Sequence, residues 1–265
     1  MFCLLVGLFA FHFPSMESHT AIALLGGLGL FRITLRNRSS TLTESVTRIR
    51  IHFTKCGDLR WISHRDLARA WERLLRRADL NLAFSQGFHP KPKISFPSAL
   101  TLGIEALDEV MELELVGDLD LLDIKQRIQL QMPVGMDLLS LEKHVGKTRL
   151  LGASYCMLIP QEVVQATQQR IDEILEAGTI QVLRDEKPVE CSCSDAHFEI
   201  KLEGNKLVFS IPAAEFGTSL RPSELLQQLH LESLLTDGTL LSRTHVHLEQ
   251  KTPQHSSVSR VAADH

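Results

Sequence analysis

Ser63 to Leu102 reads SHRDLARAWERLLRRADLNLAFSQGFHPKPKISFPSALTL, and its first half predicts an amphipathic helix. Ser63 is placed to cap it, because a hydroxyl there accepts from a backbone N–H that the first turn leaves free. Asp66 follows in the first turn, where a negative charge suits the helix dipole. Leu67, Ala70, Trp71, Leu74, Leu75 and Ala78 share one side at the helical period, and Arg65, Arg69, Arg73 and Arg76 share the other. The helix therefore buries Trp71 and the leucines and turns a row of guanidiniums to water. Asp79 or Asn81 ends it.

The stretch Ser85-Gln86-Gly87-Phe88-His89-Pro90-Lys91-Pro92-Lys93 joins a glycine free to take positive φ to two prolines of fixed φ. Two prolines exclude a central strand, so this is a stiff, extended connection. Lys91 and Lys93 alternate with the prolines and share a side. Phe88 and His89 either stack on a nucleic-acid base or cap the core.

Residues 46–100 hold 11 Lys/Arg against 4 Asp/Glu, a surplus of +7 on a chain of net charge −4, which leaves −11 elsewhere. The helix row is all arginine, the residue that grips phosphate through two N–H groups at once. A local positive field on an acidic protein is how an anion-binding face looks in sequence. The plain alternative is a solvated charged face. The candidate nucleic-acid-binding residues are thus Arg65, Arg69, Arg73, Arg76, Phe88, His89, Lys91 and Lys93.

Working outward, residues 48–55 alternate, with Ile49, Ile51 and Phe53 inward and Arg48, Arg50 and His52 forming a basic outer face. After the helix, 84–102 is extended, 109–116 alternates again, 121–132 has helical spacing and 136–144 reads as a strand. The order strand, helix, strand, strand, helix, strand is that of a split βαβ unit. The second half repeats it more loosely, with strands at 153–159, 180–183, 197–202, 207–212 and 240–249 and helices at 161–177 and 222–231. The expected fold is α+β: two tandem ferredoxin-like domains with antiparallel sheets, over 46–147 and 148–250. Residues 1–45 are expected to be a poorly structured extension and 251–265 a disordered tail.

A chain of 265 residues, 44% hydrophobic and 23% charged, suits a globular protein of two domains. Cys3, Cys56, Cys156, Cys191 and Cys193 show no C-x-x-C and no zinc or iron–sulfur spacing. We therefore expect no metal, no cofactor in this chain, and a reducing, cytoplasmic compartment. Residues 1–15 are apolar but too short to span a bilayer, and Gly26, Gly27 and Gly29 interrupt the run Ala21 to Phe31. No membrane association is expected; a membrane-associating hairpin is the alternative.

The segments RWISHRDLARAWERLLRRA, AFSQGFHPKPKISF and LTLGIE, with SRTHV around Arg243, resemble the radical SAM-linked family, a domain of unknown function. Its members are encoded beside a radical SAM protein or fused to its C-terminus. The resemblance covers roughly residues 47–250. It implies a radical SAM protein as partner, and family neighbourhoods with ribonuclease E/G and ribosomal protein genes imply RNA or a ribosome-linked substrate. No catalytic residue is established for the family, and His89 stands where relatives carry Asn. The C-x-x-x-C-x-x-C triplet of a radical SAM cluster is missing from this chain, so the resemblance assigns the radical chemistry to a separate one.

The expected function is a non-catalytic accessory module that holds RNA or an RNA-linked substrate for that enzyme. One alternative is a metal-independent endoribonuclease like the CRISPR repeat-processing enzymes, with His64 as general base on a ribose 2′-OH. The other is a domain that docks only on protein.

Overall fold

The structure is a computed structural model that describes residues 21–23, 31–33, 45–117, 119–214 and 219–249. It divides into two units at Glu44/Ser45. In the first, strands β1 (Ala21–Ala23) and β2 (Phe31–Ile33) pair antiparallel. The rest of the expected N-terminal extension and the expected tail after 250 lie outside the described residues.

The second unit opens with β3 (Val46–Lys55), whose alternation turns Ile49, Ile51 and Phe53 inward, all fully buried. Helix α1 (His64–Arg77) lies over them, with the ring of Trp71 edge-on to Phe53 at 4.9 Å. Ser63 caps α1 as expected: its hydroxyl accepts from Asp66 N at 3.2 Å and donates to the Asp66 carboxylate at 2.7 Å. The helix stops where Asp79 takes a left-handed φ of 51°. A short strand β4 (Ile94–Ser95), the long β5 (Glu105–Val116), α2 (Leu121–Gln129) and β6 (Leu138–His144) complete the first half. Leu67, Trp71, Leu74 and Leu75 of α1 and Ile124 and Ile128 of α2 close one core over β3 and β5.

The second half runs β7 (Leu150–Leu158), α3 (Val164–Ala177), β8 (Thr179–Arg184), β9 (Lys187–Ser192), β10 (Glu199–Glu203), β11 (Lys206–Pro212), α4 (Pro222–Gln228), α5 (Glu232–Thr236) and β12 (Leu241–Leu248). Strands β8 and β9 form a hairpin apart from the main sheet. Ile180, Val182, Val189 and Cys191 from this hairpin join Ile171 of α3, Leu225 and Leu226 of α4, and Tyr155, Leu207 and Phe209 in a second core.

All other strands of this unit form one largely antiparallel sheet of eight, in the order β10-β11-β7-β12-β5-β3-β6, with β4 beside β5. The sequence predicted separate antiparallel sheets. They are instead joined by a parallel pairing of β12 with β5, Ser242 against Glu105 and Arg243 against Ala106. Alternation within a strand says which face is buried but not which strand lies beside it, so this seam leaves no mark in the sequence. Within each half the four sheet strands, counted along the chain, lie in the spatial order fourth, first, third, second.

Candidate nucleic-acid interface

Helix α1 divides cleanly. Leu67, Trp71, Leu74, Leu75 and Ala78 are buried, and Arg65, Arg69, Arg73 and Arg76 are exposed on the outer side. Arg69 meets Asp66 one turn earlier at 3.4 Å, a loose surface pair of small energetic weight. Arg73 and Arg76 have no side-chain partner among the described residues. Arg77, next to the row, turns away and donates to the Gln131 carbonyl at 3.2 Å.

The proline segment is a protruding hairpin rather than a plain connection. Ser85 N donates to Lys91 O and Lys93 N to Ala83 O, both at 2.9 Å, and Lys91 N donates to Ser85 Oγ at 3.1 Å. Gly87 at the tip has a φ of 129°, which the turn requires. Phe88 is fully exposed, with His89 and Lys91 exposed beside it. Phe88 thus caps no core. Lys93 is committed to Glu114 at 2.7 Å, so Lys91 is the unpaired lysine of the two. No hydrogen bond or ion pair among the described residues joins residues 84–93 to α1.

His64 is exposed in the first turn of α1, its ring edge-on to Phe96 at 5.1 Å. No carboxylate, lysine or arginine side chain among the described residues pairs with it.

Arginines elsewhere behave differently from those of α1. On the sheet face turned away from the helices, Arg48 and Lys93 share Glu114, at 2.8 and 2.7 Å. Their hydrogen bonds hold the Glu114 carboxyl below the usual range, Arg48 contributing most. The predicted basic outer face of β3 is corrected at Arg50, which is buried and donates to Glu112 at 2.9 and 3.1 Å and to Thr148 at 2.9 Å. The pKa of His144, 3.3 Å from Arg50 Nη2, is pushed down by burial and then by that guanidinium. Further along, His52 and His245 each donate through Nδ1 to Asp108, at 2.6 and 2.7 Å. Burial pushes Asp108 up, but the two imidazole donors outweigh it and hold its carboxyl low. At the seam, Arg243 donates to Glu109 and to Ser98 Oγ, with both charged side chains 1% exposed.

These pairs form between strands, so no strand shows them by itself. The signal was present: a basic strand, RIRIH at 48–52, against an acidic one, DEVMELE at 108–114, in a register that sets Arg48 opposite Glu114 and Arg50 opposite Glu112. Those charges neutralise one another, whereas Arg73 and Arg76 of α1 have no carboxylate partner among the described residues.

Among the described residues no group of three or more His, Cys, Asp or Glu could hold a metal ion. Cys191 is buried in the second core, and burial, with smaller contributions from Cys193 and Asp195, pushes its thiol up to about 11. It is packed as a thiol among apolar side chains. No described helix is long and apolar enough to cross a membrane.

No curated protein matches this chain. Among solved structures, an unknown protein from Galdieria sulphuraria aligns at 11% identity and a TM-score of 0.24, covering 78% of this chain and 100% of that one. A TM-score that low carries no argument about the fold. Residues 48–222 match the family described as an uncharacterized protein conserved in bacteria, DUF2344. That match takes in β3, α1, the hairpin and most of the second half, and with about two thirds of the chain inside it, the protein belongs to this bacterial family.

Proposed function

We propose that the chain is a non-catalytic accessory module that binds RNA, or an RNA-linked substrate, through α1 and the hairpin at 84–93, and presents it to a separate radical SAM enzyme. One observation carries the binding half of this reading. Arg48, Arg50, Arg184 and Arg243 are each matched to a carboxylate, whereas Arg73 and Arg76 face water without one. Unneutralised guanidiniums on the rigid outer side of a packed helix suit a phosphate backbone. Lys91 and the exposed Phe88 extend the same chemistry onto the hairpin. The enzyme half rests on the sequence resemblance alone. The fourth-first-third-second strand order in each half supports reading both as ferredoxin-like units, one over 46–147 and one over 148–250.

The test is RNA binding at increasing salt by the wild type and by Arg69→Ala/Arg73→Ala. The double variant should bind every sequence more weakly. Its slope of log affinity against log salt should be shallower by about 0.7 for each lost single-strand contact. Its thermal midpoint should hold, because both side chains point to water. Absence of binding by the wild type at low salt would refute the proposal and favour docking on protein.

A further inference from the structure

We infer that Trp61 is a stacking platform for an unpaired base at the N-terminal end of the arginine row, so that this face takes single-stranded RNA. The inference rests on the binding reading above and specifies its ligand.

Trp61 is 58% exposed, whereas the chain's other tryptophan, Trp71, is fully buried. Large aromatic rings are normally well covered, so an exposed indole calls for a reason. A slack loop does not supply it, because the backbone on both sides of Trp61 is clamped. Lys55, itself 1% exposed, donates its ammonium to the carbonyls of Arg60 and Ile62, at 3.4 and 3.3 Å. Gly103 N donates to the same Arg60 carbonyl at 2.9 Å, and Ile62 N to Leu59 O at 3.1 Å. A buried cation thus holds the carbonyls of the residues before and after one whose side chain is left outside.

The ring has a built seat. Its six-membered edge rests on Gly103, where a Cβ would come within 3.0 Å of Trp61 Cζ3 and 3.5 Å of Cη2. Gly103 also has a φ of 84°, which only glycine adopts without strain. The Arg60 guanidinium lies 5.0 Å from the ring centroid, and its Nη1 is anchored on Gly57 O at 3.0 Å. The result is a ring fixed in position, backed at Gly103 and covered on one face by a cation, which leaves the opposite face for a base.

Its place in the chain selects the ligand. Trp61 lies two residues before the helix cap, Ser63, and Arg65 follows in the first turn. An aromatic surface beside a row of phosphate-binding cations is the arrangement that single strands use, with bases on rings and backbone on arginines. Bases inside a duplex are stacked on one another and do not reach a protein ring. A tryptophan that anchors a protein partner sits at the centre of a desolvated patch. Here a guanidinium, that of Arg60, lies over the ring, and Arg65 follows four positions later in the chain.

The test uses the full chain with the wild type, Trp61→Leu and Trp61→Phe, titrated at low salt with an unstructured oligouridylate and with an RNA duplex. Single-strand binding should quench the wild-type indole emission, and Trp61→Leu should remove that quench. Affinity for the single strand should fall about tenfold or more in Trp61→Leu and largely return in Trp61→Phe, as for other base–aromatic stacks. Duplex affinity and the salt slope should not move, because no phosphate contact is lost. Single-strand binding that depends on Arg69 and Arg73 but is indifferent to Trp61→Leu, with no change in emission, would overturn this inference and leave the binding reading standing. Absence of binding to either RNA would overturn both. Loss of association with the radical SAM protein in Trp61→Leu, with RNA affinity intact, would make the ring a protein anchor and overturn this inference alone.

Discussion

Arg243→Met should destabilise the fold far more than a typical substitution does, and the seam geometry sets the size of the effect. Arg243 and Glu109 are both 1% exposed, on β12 and β5, the two strands that join the halves of the sheet. Removing the guanidinium leaves the Glu109 carboxylate without its charged partner in the interior. It also strips a donor from Ser98 Oγ and from Ala99 O, 2.9 and 3.2 Å away. Breaking a buried pair from one side costs about 3–5 kcal/mol. With a urea dependence of about 2 kcal/mol per molar, the unfolding midpoint should drop by about 2 M. Glu109→Leu/Arg243→Met should recover a large part of this, because a matched apolar pair leaves no stranded charge. Urea melts of the wild type, both single variants and the double variant form the required cycle. A loss below about 1 kcal/mol in Arg243→Met, or a double variant as unstable as the sum of the singles, would refute the buried-pair reasoning.

Two further outcomes follow from the core. Trp71→Ala removes the ring that meets Phe53 at 4.9 Å and should cost about 3–5 kcal/mol in urea unfolding, whereas an unchanged midpoint would place Trp71 outside the core. Lys55 is lowered from 10.5 to about 8, first by burial and then by Arg243, so between those pH values the unfolded chain binds the extra proton. Stability of the wild type relative to Lys55→Met should therefore rise with pH from about 8 to about 10, by at most about 1.4 kcal/mol per unit, and be flat below 8; a flat difference throughout would exclude a titrating buried lysine.

The helix over 64–77 was legible almost to the residue, because a polar cap, a one-sided apolar stripe and a stop signal all agree there. The strand read over 48–55 was legible from alternation and lies within β3, and the strand read over 207–212 lies within β11. The second half was read less fully: β9 carries Pro188 and three polar residues, Lys187, Glu190 and Ser192, and gave no strand signal, and the helix expected over 222–231 ends at Gln228, with His230 left-handed and a second short helix, unexpected, at Glu232–Thr236. Of the candidate site, the exposure of the arginine row was legible, since helical period determines it, whereas the sequence left Phe88 either on a base or over the core. Two features were not legible. Lys55, Glu109 and Arg243 are charged residues in buried positions, and one-strand patterning assigns every charge to water. Trp61 lay in a short stretch without periodicity, and its exposure depends on Lys55 and Gly103, which come near it only in the folded chain.

The position of β12 has a consequence for how the chain is made. Among the described strands it is the last to leave the ribosome, yet it lies in the interior of the sheet, between β7 and β5. Until Leu241 to Leu248 emerge, β7 and the start of β5 each present an unpaired backbone edge, and Glu109 waits for a partner 134 positions downstream. Closure across so long a span is entropically slow, and open edges are templates for aggregation during the wait. A chain that terminates early, just before Leu241, would keep nearly all of its apolar core residues and still carry two sticky edges. Nascent-chain chaperoning and the fate of truncated products therefore turn on β12 rather than on the arginine helix.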